Sequence, residues 1–124
     1  MIQKRIEPVD LDEHEHLYHQ GRQAFEKNDW KTALDFFGRS LRLMSHSKTM
    51  EMMALCYQNL GDRKLALSMA QDAYRANPKS NKTGVVLASL LMRNGKKAEA
   101  RAILTEILRH SPTYGPAKRL LSES

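Results

Sequence analysis

Apolar residues in this chain return every three or four positions: Met50, Met53, Ala54 and Tyr57 in one stretch, Leu87, Ala88 and Leu91 in another, Ala100, Ile103, Leu104, Ile107 and Leu108 in a third. That spacing lays an apolar stripe along one side of a helix, while the two-residue alternation of a half-buried strand is weak throughout. An all-α fold is expected.

The stripes themselves repeat at an interval of 33 to 34 residues. Gly21, Ala54 and Ala88 fall in register, and twelve residues after each stand Ala33, Ala66 and Ala100. Small side chains at a fixed interval are what closely crossing helices need, since a larger one would force the backbones apart. Between the two small positions lie Asn28, Gly61 and Gly95, residue types that tolerate the left-handed conformation ending a helix. Asp29 and Asp62 follow directly, near the start of a second helix whose dipole favours negative charge. Lys96 breaks this pattern in the third segment. Pro78 and Pro112 mark the ends of the second helices, and Ser45 stands where the first segment would have its proline. Asp10 and Glu13 have capping-box spacing at the start of the first helix.

The runs QGRQAFEKNDWKTALDFFGRSL, ALCYQNLGDRKLALSMAQDAYRANP and ASLLMRNGKKAEARAILTEILRHSP together resemble the tetratricopeptide repeat (TPR). The resemblance implies a right-handed superhelix of three helix-turn-helix repeats at about 14–46, 47–80 and 81–114. Residues 1–13 would form an N-terminal extension and helix start, and 115–124 a short capping helix over the last repeat's apolar edge. Gln20, where an apolar residue is expected, and Ala70, where an aromatic is expected, depart from the family pattern, as does the missing first proline.

The resemblance also implies a function, the holding of a partner's peptide or helix in the concave groove lined by the first helices. On that wall it places Tyr18, Arg22 and Phe25, with Glu15 and Glu26; then Lys48, Glu51, Leu55, Gln58 and Asn59; then Lys82, Ser89, Met92 and Arg93, with Val85. The spacing of Tyr18, Arg22 and Phe25 independently puts these three on one helix face. Cations there suit an acidic or amphipathic segment, and the amides of Gln58 and Asn59 suit a peptide backbone. One known use of the family is a clamp that grips chaperone C-terminal carboxylates with Lys and Asn. Tyr18, Arg22, Met52 and Val86 stand in four of its five places and only Lys82 agrees, which argues against that use. An adaptor, or a small assembly or secretion chaperone, fits better.

Charge sharpens this picture. The net charge is +6, but residues 1–62 carry 8 Lys/Arg against 10 Asp/Glu, and residues 63–124 carry 12 against 4. A basic half favours encounter with an acidic partner by steering. It also raises a rival class, a nucleic-acid-binding helical repeat. Against that, readers of RNA use repeats of 35 residues or more, and here Lys64, Arg75, Lys96, Lys97, Arg101 and Arg109 scatter over turns and outer helices. A third reading is a scaffold that self-assembles through exposed repeat ends, which leaves a homodimer open.

The remaining candidates weigh against catalysis. Cys56, the one cysteine, cannot form an internal disulfide and reads as a small buried filler in a reducing, cytoplasmic setting. His14, His16 and His19 cluster, but neighbours two apart face different sides of a helix, HExxH order is absent, and no distant Cys/His pair supports a metal. No glycine-rich phosphate loop, GxSxG turn or catalytic carboxylate pair can be assembled, so neither enzyme activity nor a cofactor is expected. Met50 and Met53 fit the core, and Trp30, Phe36 and Phe37 fit hairpin packing. No secretory signal follows Lys4 and Arg5. The apolar cluster Val85 to Met92, interrupted by Ser89, is far short of the roughly 20 residues a membrane span needs.

Overall fold

Periodic apolar stripes punctuated by Asn, Gly and Pro fold into a row of helical hairpins. The computed structural model describes residues 7–124, with side-chain surroundings from residue 12 onward. Seven helices follow in order: α1 Glu7–Glu26, α2 Trp30–Leu43, α3 Ser47–Asn59, α4 Arg63–Ala76, α5 Asn81–Arg93, α6 Lys97–His110 and α7 Gly115–Ser122. The first six pair as three hairpins, each packed on the next, and α7 lies against α5 and α6. Among the described residues no strand occurs and no helix is long and apolar enough to cross a membrane.

The three hairpin turns share one backbone solution. Asn28, Gly61 and Gly95 take φ of 62°, 86° and 76°, the left-handed conformation in which most side chains clash with their own backbone. Each turn then sends an N–H five residues back: Asp29 to the Ala24 carbonyl, Asp62 to Tyr57, Lys96 to Leu91. These bonds satisfy carbonyls that the ending helix would otherwise leave bare. Asp29 and Asp62 are the N-caps of α2 and α4, accepting from the backbone N–H of Thr32 and Leu65 at 3.3 and 3.1 Å. Lys96 occupies the same place before α6 and makes no side-chain cap. At the other edge His46 caps α3 and Ser80 caps α5. The capping box expected at Asp10 involves a side chain outside those described; α1 itself begins at Glu7.

All six small positions are buried. Ala54, Ala88, Ala33, Ala66 and Ala100 are fully enclosed, and a Cβ at Gly21 would meet the Phe37 ring at 2.6 Å. Around them the core has two parts. One joins Ala24, Ala33, Phe37, Met52, Met53 and Cys56; the other joins the second and third hairpins through Leu87, Leu90, Leu91, Leu104 and Ile107, and extends to Ala117 of α7. Each fully buried Leu or Phe stabilises the fold by about 1.5–3 kcal/mol.

Candidate functional site

The first helices of the three hairpins lie side by side, and polar side chains tie the second to the third. Glu51 of α3 is the centre of this tie. It is only 1% exposed, and its Oε1 accepts a hydrogen bond from Thr83 Oγ1 of α5 at 2.8 Å. Its Oε2 lies 3.5 Å from Lys48 Nζ and 3.8 Å from Lys82 Nζ, yet neither ammonium makes a hydrogen bond to it. Burial, and then the adjacent Lys82 ammonium, push Lys48 below the ordinary lysine range, with Glu51 pulling it back up. Burial also raises the Tyr18 hydroxyl on α1; Arg22 opposes that shift, Glu51 adds to it and Lys82 opposes it. Tyr18, Arg22, Glu51 and Lys82 therefore share one electrostatic neighbourhood spanning all three helices.

Two cavities open on this wall, and Lys48 lines both. One, of about 280 Å³, is floored by Phe25, Met52 and Leu55 and ringed by Arg22, Glu26, Lys48 and Lys82. Phe25 is held edge-on against Trp30, ring centres 5.0 Å apart, and Arg22 lies 3.7 Å from Glu26. The other, of about 290 Å³, is lined by His14, Glu15, Tyr18, His19, His46, Lys48 and Thr49.

Of the residues expected on the wall, Tyr18, Arg22, Phe25, Lys48, Leu55 and Lys82 thus come together at the two cavities. Glu51 is among them but lies beneath the surface, as a buried counter-ion rather than an exposed contact. Gln58, Asn59, Ser89, Met92 and Arg93 sit farther along α3 and α5 and line neither cavity. Asn59 already donates its amide to the Leu55 carbonyl at 2.8 Å, so it is committed to its own helix. Met92 packs against the core of the second and third hairpins.

Two histidines beside the wall have partners that sequence reasoning did not give them. His14 is buried, its Nδ1 2.8 Å from Ser40 Oγ and 3.1 Å from the Ser40 carbonyl, while that hydroxyl donates to the His14 carbonyl. His46 stands 6.4 Å from it, ring to ring, with Nδ1 accepting from the Lys48 N–H. Among the described residues no three His, Cys, Asp or Glu side chains gather closely enough to hold a metal. Cys56 is buried, and that burial pushes its thiol up to about 12, a range in which it is not a nucleophile at neutral pH. A larger cavity, of about 640 Å³, lies away from this wall, between the ends of α4 and α6 and the start of α5.

The Tetratricopeptide repeat family profile matches residues 59–123, just over half of the chain. The chain belongs to the tetratricopeptide repeat family. No curated protein sequence matches it. Its hairpins superpose on known TPR structures with low sequence identity, which shows the shared fold and with it the right-handed superhelix. The first TPR of Spaghetti (RPAP3), bound to the HSP90 peptide SRMEEVD, gives a TM-score of 0.83 at 18% identity, over 90% of this chain and 92% of that one. The second TPR domain of human RPAP3, in complex with the HSP70 peptide SGPTIEEVD, also gives 0.83, at 16% identity over 92% and 96%. The Yersinia enterocolitica type III secretion chaperone SycD, in complex with a peptide of the translocator YopD, gives 0.75 at 20% identity over 88% and 84%.

Proposed function

We propose that this TPR protein is a non-catalytic interaction module that holds an acidic or amphipathic segment of a partner protein against its inner wall, as an adaptor or a small assembly or secretion chaperone. One observation carries the reading: three cations, Arg22, Lys48 and Lys82, ring an apolar cavity floored by Phe25, Met52 and Leu55. Apolar floor and cationic rim match a segment that offers an apolar side chain and negative charge together. Structurally similar proteins that carry bound peptides, of HSP90, HSP70 and YopD, support a peptide-holding role for the fold.

Charge reversal tests it. Arg22, Lys82 and Arg93 are exposed, so replacing all three by Glu leaves the core intact. Affinity capture from a lysate of the native source, read by mass spectrometry, is expected to recover partners with the unaltered chain and lose them with the triple variant. Capture that survives the reversal would remove the inner wall from consideration.

A further inference from the structure

The charges on the inner wall do not balance, and the imbalance is local. Arg22 has Glu26 at 3.7 Å. Lys48 and Lys82 share a single acid: among the described residues Glu51 is the one carboxylate within 4.0 Å of either ammonium. Both face the same oxygen, Oε2, which is buried and has no hydrogen-bond donor, while Oε1 accepts from Thr83. Two ammonium groups and one carboxylate leave one positive charge unmatched at this point of the wall.

Mobility is divided between the pair. Lys82 is 63% exposed and Lys48 35%, so Lys82 can swing outward at little cost while Lys48 stays over Glu51. Both lysines also line the apolar cavity of Phe25, Met52 and Leu55. An anion seated on Lys82 is therefore a neighbour of whatever fills that cavity.

We propose that Lys48 and Lys82, held together by the buried carboxylate of Glu51, form a seat for one internal Asp or Glu side chain of the bound segment, adjacent to an apolar side chain in the Phe25–Met52–Leu55 cavity. This rests on the inner wall being the binding surface. On binding, Lys82 turns to the guest carboxylate, Lys48 closes on Glu51 Oε2, and each ammonium has its own acid. The part of the Lys48 lowering that comes from Lys82, second to burial, is relieved at the same time. Glu51 acts as a positioning residue: it gathers two like charges that would otherwise repel, and touches no guest itself.

The probe is a pair of octapeptides, acetylated and amidated so that no terminal charge contributes: Gly-Ser-Leu-Ser-Asp-Ser-Leu-Gly and its twin with Asn for Asp. Leucines two positions to either side of the acid share its face in an extended segment, whichever way the peptide runs. Titration of the isotope-labelled full chain, followed by NMR shifts, is expected to show the Asp peptide binding about tenfold more tightly than the Asn peptide, as a charge-assisted hydrogen bond would give. Lys82→Gln is expected to erase that preference and Lys79→Gln, outside the wall, to keep it. Glu51→Gln retains an acceptor for Thr83 but removes the charge that gathers the two ammonium groups, so they repel and separate and the preference should shrink. A role for Glu51 in fold stability alone would leave the preference of the folded variant unchanged.

Equal binding of the two peptides by the unaltered chain would overturn the seat while leaving the inner wall as the binding surface. A preference that survives Lys82→Gln, or that is undiminished in a folded Glu51→Gln variant, would also overturn it. Binding of neither peptide would overturn the seat and count against the wall as well. Should Glu51→Gln fail to fold, Lys82→Gln decides alone.

Discussion

Two glycines show how residue-scale consequences turn on what a side chain meets. A Cβ on Gly21 would reach the Phe37 ring at 2.6 and 2.7 Å, and Phe37 is a rigid ring, fully buried. A Cβ on Gly84 would meet Ile107 Cδ1 at 2.8 Å, the tip of a flexible side chain that can rotate aside. Both sites are helical, so alanine gains about 1 kcal/mol of helix propensity at each. At Gly21 the forced separation of α1 and α2 outweighs this, and Gly21→Ala is expected to lose about 1–3 kcal/mol. Gly84→Ala is expected to stay within about 1 kcal/mol of the unaltered chain. Urea unfolding of the two variants in parallel checks the contrast, and equal losses would refute it.

At the scale of single helices, the three hairpin turns form an internal comparison. The backbone solution is the same in each, but α2 and α4 begin under an aspartate and α6 begins under Lys96, a positive charge at the positive end of the helix with no side-chain cap. Lys96→Asp is expected to stabilise the fold by about 1 kcal/mol, and Asp62→Ala to cost about the same. Replacing Lys96 breaks an exposed ion pair to Glu99 at 4.0 Å, of a kind that contributes little. Thermal unfolding measures both, and a drop in melting temperature for Lys96→Asp would show that the lysine has a use the cap does not explain. These turns were legible from the chain alone because they use particular residue types at one place: Asn or Gly for positive φ, Ala or Gly where helices cross and, in the first two, Asp for the cap.

The inner wall was legible only by position. A glutamate at residue 51 reads as an exposed wall residue, because its burial comes with a partner, Thr83, that lies 32 residues away. His14 reads as one of a surface trio for the same reason, since its partner Ser40 lies 26 residues on. Polar residues buried through long-range pairing leave no periodic trace, whereas apolar stripes do.

For the whole molecule the question is where the stack ends. Each hairpin has apolar surface on both flanks, and a stacked array needs a cover on its last one. In the described structure α7 is that cover: Ala117 is fully buried, and Leu120 and Leu121 pack against the core of the second and third hairpins. With only eight residues it is too short to be stable as an isolated helix, so its order comes from this packing, and the packing alone hides the flank of α5 and α6. A chain lacking residues 115–124 is therefore expected to lose at least about 2 kcal/mol of stability. Its newly bare flank should then associate with another copy, since large exposed apolar patches do so. Urea unfolding checks the first effect, and light scattering across a concentration series checks the second, with the truncated chain's mean mass rising more steeply than that of the full chain. If the shortened chain stays as stable, with an unchanged mass at every concentration, the outer flank of α5 and α6 is polar enough to face water, and α7 is an appendage rather than a cap.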